Sequence, residues 1–338
     1  MQRTNLSMQA LLITWITITC VACGDSTPPP NSPPAQPAPV FELGAGTDEE
    51  QTGIPFAWPE GSTAIVTELA TKQGNRTTTS YRIKIGAKDT AGARKLQLSD
   101  FELIDMEGVK MDDPMLLSSL APAIAMMQAI PDYGVGTKGE YLGPNSGDLK
   151  RMADRVAGML GELDKGLTMS PDEFRASMAT PAMEQVLRAM NSDPWNAWVG
   201  NWASIDLEAG RELIEEIGIP MGEAKVPAQI ITQHLGNVEE HAGHVRLSIS
   251  MSLVGSELGA PVAAFLESMA KRMEAPLDGL AEIPALEWTF TSTAGAVLDP
   301  ELGRPATAYY EKRVHTVPGD SGIERARIER HEYSFQWQ

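Results

Sequence analysis

Three of the five histidines in this 338-residue chain, His234, His241 and His244, fall within eleven residues. Imidazoles so close together can share a zinc or copper ion, with Glu239 or Glu240 adding an oxygen ligand. Their spacing does not match a metalloprotease helix, however, and residues 236–243 are typical of an exposed turn. A solvated loop is therefore the preferred interpretation, and a metal site is the alternative.

Three tryptophans form a second candidate. Trp195, Trp198 and Trp202 follow Pro194 at spacings of three and four residues, which places them on one face of a helix. Such a face can line an apolar groove for an acyl chain or another hydrophobic ligand. It can equally be the face that packs on a sheet. Both interpretations stay open, and the first predicts that these three side chains line the ligand.

Known catalytic motifs are absent or out of context. Residues 134–139 match the Gly-x-Gly-x-x-Gly dinucleotide pattern, but neither the strand before it nor the helix after it is indicated, so we predict a loop. His331-Glu332 begins a zincin motif in which Phe335 replaces the second histidine. No Gly-x-Ser-x-Gly elbow, Walker loop or EF-hand occurs. We therefore assign no catalytic residue and no cofactor, and we expect a protein that is not an enzyme.

Composition excludes further classes. The chain has 45 acidic residues against 27 Lys and Arg, a formal net charge of −18. Nucleic-acid binding is not expected, because phosphate neutralisation needs a basic face. With 42% hydrophobic residues the chain is globular, and it has no uninterrupted apolar run long enough for a polytopic membrane protein.

The amino terminus has the parts of a secretory signal: Arg3, a short apolar stretch at residues 10–22 and small residues before a cut site. Cys20-Val21-Ala22-Cys23 resembles the lipobox of bacterial lipoproteins, in which a small residue precedes an invariant cysteine. The resemblance implies that Cys23 becomes the mature amino terminus, acylated with diacylglycerol and an N-linked chain such as palmitate. Cys20 stands where that family usually has leucine. An ordinary cleaved signal with two incidental cysteines is the alternative.

The lipobox also implies a location and a domain organisation. Glycine rather than aspartate follows Cys23, which favours the outer membrane and leaves open which face of it the protein occupies. Residues 26–39 are rich in proline and suit an extended spacer. We predict a signal peptide at residues 1–22, an acylated amino terminus with an acidic, proline-rich tether at 23–55, and one globular domain at 56–338.

Within that domain, strand patterns occur at both ends and helix patterns mainly between them. Strands are predicted at residues 63–70, 76–85, 95–104, 226 onwards, 245–253, 286–290, 307–317 and 333–337, and a bulge is predicted between Leu98 and Phe101. Helices are predicted at 115–130, 149–163, from 170 onwards, 207–217 and 259–273. The fold expected is α+β, a curved antiparallel sheet covered by a central set of helices. In architecture alone it resembles periplasmic lipoprotein carriers.

These features favour a lipid-anchored envelope protein that binds a hydrophobic small molecule or an envelope protein. This function predicts an apolar pocket lined by tryptophan and methionine. A lipid-anchored hydrolase is one alternative, and it predicts a histidine or paired carboxylates with perturbed protonation. A structural scaffold is the other, and it predicts a filled interior.

Overall fold

The computed structural model describes residues 53–109, 111, 130–162, 172, 175–176, 192–203, 205–221, 224–253, 286–318 and 325–338. Eleven strands of these ranges form one sheet: β1 Thr63–Lys72, β2 Asn75–Lys88, β3 Arg94–Met106, β4 Tyr133–Val135, β5 Tyr141–Gly143, β6 Glu212–Met221, β7 Ala224–Val238, β8 His241–Leu253, β9 Leu286–Asp299, β10 Arg304–Pro318 and β11 Arg325–Trp337. Helix α1 spans Ser146–Glu162, and helix α2, Ser192–Trp195, continues into a π-helix at Asn196–Gly200. No helix in the described ranges is long and apolar enough to cross a bilayer.

The sheet is antiparallel throughout, with the order β5-β4-β3-β2-β1-β11-β10-β9-β8-β7-β6. Its first and last strands therefore lie side by side in the middle. We call the pairing of β1 with β11, from Ala64 opposite Trp337 to Lys72 opposite Glu329, the seam. Strands β1 to β5 form one wing and β6 to β11 the other, so in the described sheet the seam is where the two wings join.

Local sequence explains the strands beside the seam. In β2, Tyr81, Ile83 and Ile85 are buried on one face while the residues between them point away, the period of two that a half-buried strand requires. The β1–β2 turn contains Gln73 and Gly74, both with positive φ, as a two-residue hairpin turn needs. This predicted hairpin is confirmed.

The bulge predicted in β3 is also confirmed. The β2–β3 register shifts between Ser80 and Arg82, beside Asp100, which has a φ of 56°. The shift keeps Phe101 on the covered side of the sheet, where its ring stacks on Tyr81 with centroids 4.9 Å apart.

The predicted α+β class, with its central set of covering helices, is wrong for the described residues, although the antiparallel sheet itself is confirmed. Strands contain 61% of these residues. Residues 207–217, predicted as a helix, instead lead into β6 and form half of it. Leu213, Ile214 and Ile217 fit either period, and the positive φ of Gly210 makes a turn that directs the chain alongside β7.

The helix predicted at residues 149–163 is confirmed as α1, whose first turn is capped by Asn145. The Asn145 side-chain oxygen accepts a hydrogen bond from the backbone N–H of Asp148 at 2.9 Å. The buried Asp148 carboxylate is paired with Lys95 of β3 at 2.6 Å, which ties the helix to the sheet. The helices predicted at 115–130 and 259–273, and most of the one from 170, lie outside the described residues.

One face of the sheet, which we call the inner face, is covered by residues 53–58 and 192–203. Its core is an aromatic cluster in which Trp58 contacts the rings of Phe56, Trp195 and Trp337 at centroid distances of 4.7 to 5.6 Å. Burying each large aromatic side chain contributes about 2–3 kcal/mol. The opposite, outer face carries hydroxyls such as Ser248, Ser250 and Thr293, all half-buried.

Candidate functional site

The three tryptophans singled out from the sequence lie inside the aromatic core. Trp195, Trp198 and Trp202 are 0%, 1% and 1% exposed. The Trp195 indole N–H donates to the Gly139 carbonyl at 2.8 Å, and that of Trp202 donates to the Ala197 carbonyl at 2.6 Å. The first bond ties residues 192–203 to the β4–β5 hairpin, and the second lies within the segment itself. The expectation that these three side chains line a ligand stays a prediction.

Trp198 differs from the other indoles of the inner face. Those of Trp58, Trp195, Trp202 and Trp337 all donate to backbone carbonyls, whereas Trp198 Nε1 is buried without a hydrogen-bond partner among the described residues. An unsatisfied buried donor costs about 1–3 kcal/mol, so it calls for an explanation. Trp198 also lies in the π-helix, a rare conformation that occurs often at functional sites.

Beside this indole, the inner face changes from apolar to ionisable. Along β11 the inward positions run from Trp337 and Phe335 through Tyr333 to His331 and Glu329, and along β1 Glu68 follows Val66. His331 Nδ1 lies 2.5 Å from a Glu68 oxygen, and Nε2 lies 2.9 Å from a Glu329 oxygen. The imidazole is therefore held between two carboxylates, one on each side of the seam.

This geometry favours a protonated imidazole, in which each ring nitrogen donates to a carboxylate oxygen. Burial opposes the charge, but hydrogen bonds to Glu329 and Glu68 outweigh it and raise the pKa of His331. Burial likewise opposes ionisation of Glu329, but the hydrogen bond to His331 and the nearby Lys72 lower its pKa to about 2. Glu329 is therefore ionised at neutral pH, and the raised pKa of His331 favours its charged form.

Three buried tyrosines extend these contacts toward Trp198. The Tyr333 hydroxyl donates to a Glu68 oxygen at 3.5 Å, the Tyr310 ring lies 6.3 Å from that of Tyr333, and the Tyr81 hydroxyl interacts electrostatically with Glu68. The Tyr310 ring stacks on His331 with centroids 4.6 Å apart. Burial raises the pKa of all three hydroxyls well above the usual value, so they stay neutral donors. Trp198 packs against two of them, with its ring centroid 5.3 Å from Tyr333 and 6.4 Å from Tyr81.

Two lysines and an aspartate add further charges next to His331 and its two glutamates. Lys72 pairs with Glu329 at 2.9 Å, and Lys312 of β10 pairs with Asp193 of α2 at 2.5 Å. Together with the histidine and the glutamates they form what we call the ionisable network: Glu68, Lys72, Asp193, Lys312, Glu329 and His331. With His331 protonated, these six groups carry three positive and three negative charges and no net charge, and Arg327 follows Glu329 on the same face, opposite Val314. Glu68 keeps 20% of its side chain exposed and is reachable from solvent.

An apolar area borders the network on the same face. The register of β10, β9 and β8 places Val314 beside Phe290, and Lys312 in line with Ser292 and Met251. Unlike the aromatic core, Val314, Phe290, Met251 and Leu253 are only half-buried. We call these four residues the open apolar patch. An ionisable, charge-neutral zone beside such a patch can hold a molecule with a polar head and an apolar body.

The three clustered histidines lie at the far end of β7 and β8. His234 belongs to β7, and its Nδ1 accepts a hydrogen bond from Gly236 N at 3.1 Å. His241 and His244 lie at the start of β8 with their rings 5.6 Å apart. Among the described residues no group of three or more His, Cys, Asp or Glu side chains is placed to hold a metal ion.

The Gly-x-Gly-x-x-Gly pattern forms part of the β4–β5 hairpin, where it supports packing. Gly139 has a φ of +87°, and a β-carbon there would lie 2.9 Å from Val199 and 3.1 Å from Phe56. Glycine is therefore needed for both the backbone conformation and the close approach of residues 192–203.

Sequence reasoning did not identify His331, Glu68 or Glu329 as site residues. The signal was available in the alternation of β11, because Glu329 and His331 are in phase with the apolar residues that follow them. A charged residue at an inward position is unusual unless it is paired. The partner on β1 is 263 residues away and could not be read from spacing.

Comparison with protein-family models and with curated proteins finds no match for the chain. Cys23 and all of the predicted tether except residues 53–55 lie outside the described residues.

Proposed function

We propose that this chain is a membrane-anchored bacterial envelope lipoprotein that binds an amphiphilic small molecule on the inner face of its sheet and is not an enzyme. The ligand's hydrocarbon lies on the open apolar patch, and its polar head lies at the ionisable network near Glu68. This proposal takes a hydrophobic small molecule as the ligand in place of an envelope protein.

The observation that carries the proposal is that two unlike surfaces, the ionisable network and the open apolar patch, adjoin on the inner face of the sheet. Lys312 of β10 pairs with Ser292 of β9, which in turn pairs with Met251 of β8. Lys312 of the network and Met251 of the patch therefore lie in one row across the sheet. Core packing does not require a methionine and a phenylalanine that are only partly buried beside buried charges. The Trp198 N–H, which has no partner in the part of the chain that the structure describes, adds a donor for a ligand oxygen.

The charge balance of the network specifies the class of head group. Because its charges cancel, binding an ionic head would leave a buried charge unpaired, which is costly. The net charge of the whole chain, −18, also repels anions. We therefore expect a zwitterionic or neutral head group in preference to a carboxylate.

The test compares three amphiphiles with the same twelve-carbon chain, below their micelle concentrations: lauroyl-lysophosphatidylcholine, laurate and dodecyltrimethylammonium. The protein is the mature chain from residue 23 with Cys23→Ser, and binding is followed by tryptophan fluorescence. We expect the zwitterion to bind about tenfold more tightly than laurate. Phe290→Glu in the patch should weaken binding about tenfold, whereas Ile104→Glu, at an exposed position on β3, should not. No saturable binding of any probe would overturn the proposal.

The lipid anchor is tested separately. Labelled palmitate should enter the chain expressed in a bacterium with lipoprotein processing, and Cys23→Ala should abolish incorporation. Cys20→Ala is the matched control and should leave it unchanged. Incorporation that survives Cys23→Ala would contradict the assignment of the anchor.

One observation favours the hydrolase alternative: His331 lies between two carboxylates, with perturbed protonation. Both of its ring nitrogens are already engaged, however, so it has no free nitrogen to accept a proton from a nucleophile. The filled aromatic core around Trp195 suits the scaffold alternative, but a scaffold does not account for the unpartnered indole or the open apolar patch.

A further inference from the structure

His331 connects the two wings of the sheet through side chains as well as through the backbone. It belongs to β11, and its Nδ1 bonds across the seam to Glu68 of β1 while its Nε2 bonds to Glu329 of its own strand. A neutral imidazole has a single N–H, so loss of the proton breaks one of these bonds. The lone pair exposed on that nitrogen then faces a carboxylate oxygen, which turns an attraction into a repulsion.

The groups that face the His331 ring determine whether another cation can pair with Glu68 once the ring has lost its proton. Those facing it from the described elements are Glu68 and Lys72 of β1, Tyr81 of β2, Tyr310 and Lys312 of β10, Glu329 and Tyr333 of β11, and Asp193 of α2. Lys72 already pairs with Glu329, and Lys312 with Asp193. Among the described residues, His331 is the cation that is hydrogen-bonded to Glu68, so a neutral His331 leaves these six groups with a net charge of −1.

We propose that His331 is a proton-operated clip across the seam, and that loss of its proton loosens the β1–β11 pairing and releases the ligand head held near Glu68. The release of ligand rests on the function proposed above; the clip does not. The pKa of His331 is raised by its two carboxylates, so the clip is closed at and below the ordinary histidine pKa of about 6.5 and opens as pH rises through the raised value.

The first experiment examines the clip without ligand. Nitrogen-15 NMR of histidine-labelled protein between pH 5 and 10 should show both His331 nitrogens protonated at neutral pH, with a pKa above the ordinary histidine value of about 6.5. Amide hydrogen exchange, corrected for base catalysis, should lose protection about tenfold in β1 and β11 through the same pH range. Amides of β7 and β8, away from the seam, are the internal control. A neutral His331 at pH 6.5, or equal loss of protection in both strand pairs, would overturn the clip.

The second experiment examines release with lauroyl-lysophosphatidylcholine. Affinity should fall about tenfold through the pKa measured for His331, and His331→Gln should remove this pH dependence. Where His331→Gln does not fold, Glu329→Gln serves instead, because losing one carboxylate should move the midpoint to lower pH. An affinity that does not change with pH would overturn the proposed release of the ligand. A clip that titrates in a protein that binds no probe would leave the clip standing and refute the proposed function.

Discussion

At the residue scale, His331 and Glu329 give the inner face opposite responses to pH. Glu329 has a folded pKa of about 2 against an ordinary value of 4.5, so its stabilisation is present above pH 4.5 and is lost as pH falls toward 2. The raised pKa of His331 has the reverse effect, since its stabilisation is present below about pH 6.5 and is lost as pH rises. Stability contributed by the network is therefore greatest between these limits.

We predict that the network's contribution to the free energy of unfolding, measured by urea denaturation, is greatest between these pH limits and falls on both the acid and the alkaline side. Glu329→Gln should flatten the acid limb and lower stability at pH 6 by up to about 3 kcal/mol, because it leaves His331 with one carboxylate. Glu301→Gln, at an exposed position in the β9–β10 turn, is the matched control and should change stability by less than about 0.5 kcal/mol. An unchanged acid limb in Glu329→Gln would show that the pairing does not contribute.

Two tryptophans on the same short segment make a second comparison at this scale. Trp195→Phe removes an N–H that donates to Gly139 and should cost about 1 kcal/mol beyond the packing loss. Trp198→Phe removes an N–H with no partner among the described residues, so it should cost less than Trp195→Phe while weakening amphiphile binding severalfold. Thermal unfolding and fluorescence titration measure the two effects. A larger stability loss for Trp198→Phe would indicate a partner within the protein.

At the scale of elements, the β4–β5 hairpin and the segment 192–203 depend on each other through Gly139. The hairpin turns at a glycine with positive φ, and the segment packs onto that same glycine, so the site's aromatic wall relies on a residue without a side chain. Gly210 has a similar φ of +79° but nothing within 4 Å of its missing β-carbon. Comparing a substitution at Gly210 with one at Gly139 therefore separates the cost of backbone strain from the cost of disturbed packing.

We predict that Gly210→Ala costs about 1 kcal/mol, the penalty of a left-handed conformation alone. Gly139→Ala should cost about 2 kcal/mol more, because the added methyl meets Val199 and Phe56. Urea denaturation of both variants measures the difference. Equal losses would mean that residues 192–203 are not held tightly against the hairpin.

At the scale of the whole molecule, the sequence predicted individual strands better than the fold class. Alternation predicted β2, β8 and the end of β11, β-prone residues predicted β1, and the slip in β3 predicted its bulge, because these signals are local. The sequence predicts a helix at residues 207–217, although the spacing of Leu213, Ile214 and Ile217 suits a helix and a strand equally well. Only pairing with β7 decides in favour of the strand. The seam and the Glu68–His331 contact join opposite ends of the chain, so no local pattern carries them.

Native mass spectrometry tests the central claim most directly, on the mature chain with Cys23→Ser secreted in its host and purified without detergent. A fraction of molecules should carry one additional neutral or zwitterionic lipid mass, and that mass should disappear in Phe290→Glu but persist in Ile104→Glu. Repeated spectra of the bare polypeptide, together with no uptake of added lauroyl-lysophosphatidylcholine, would contradict ligand binding on the inner face.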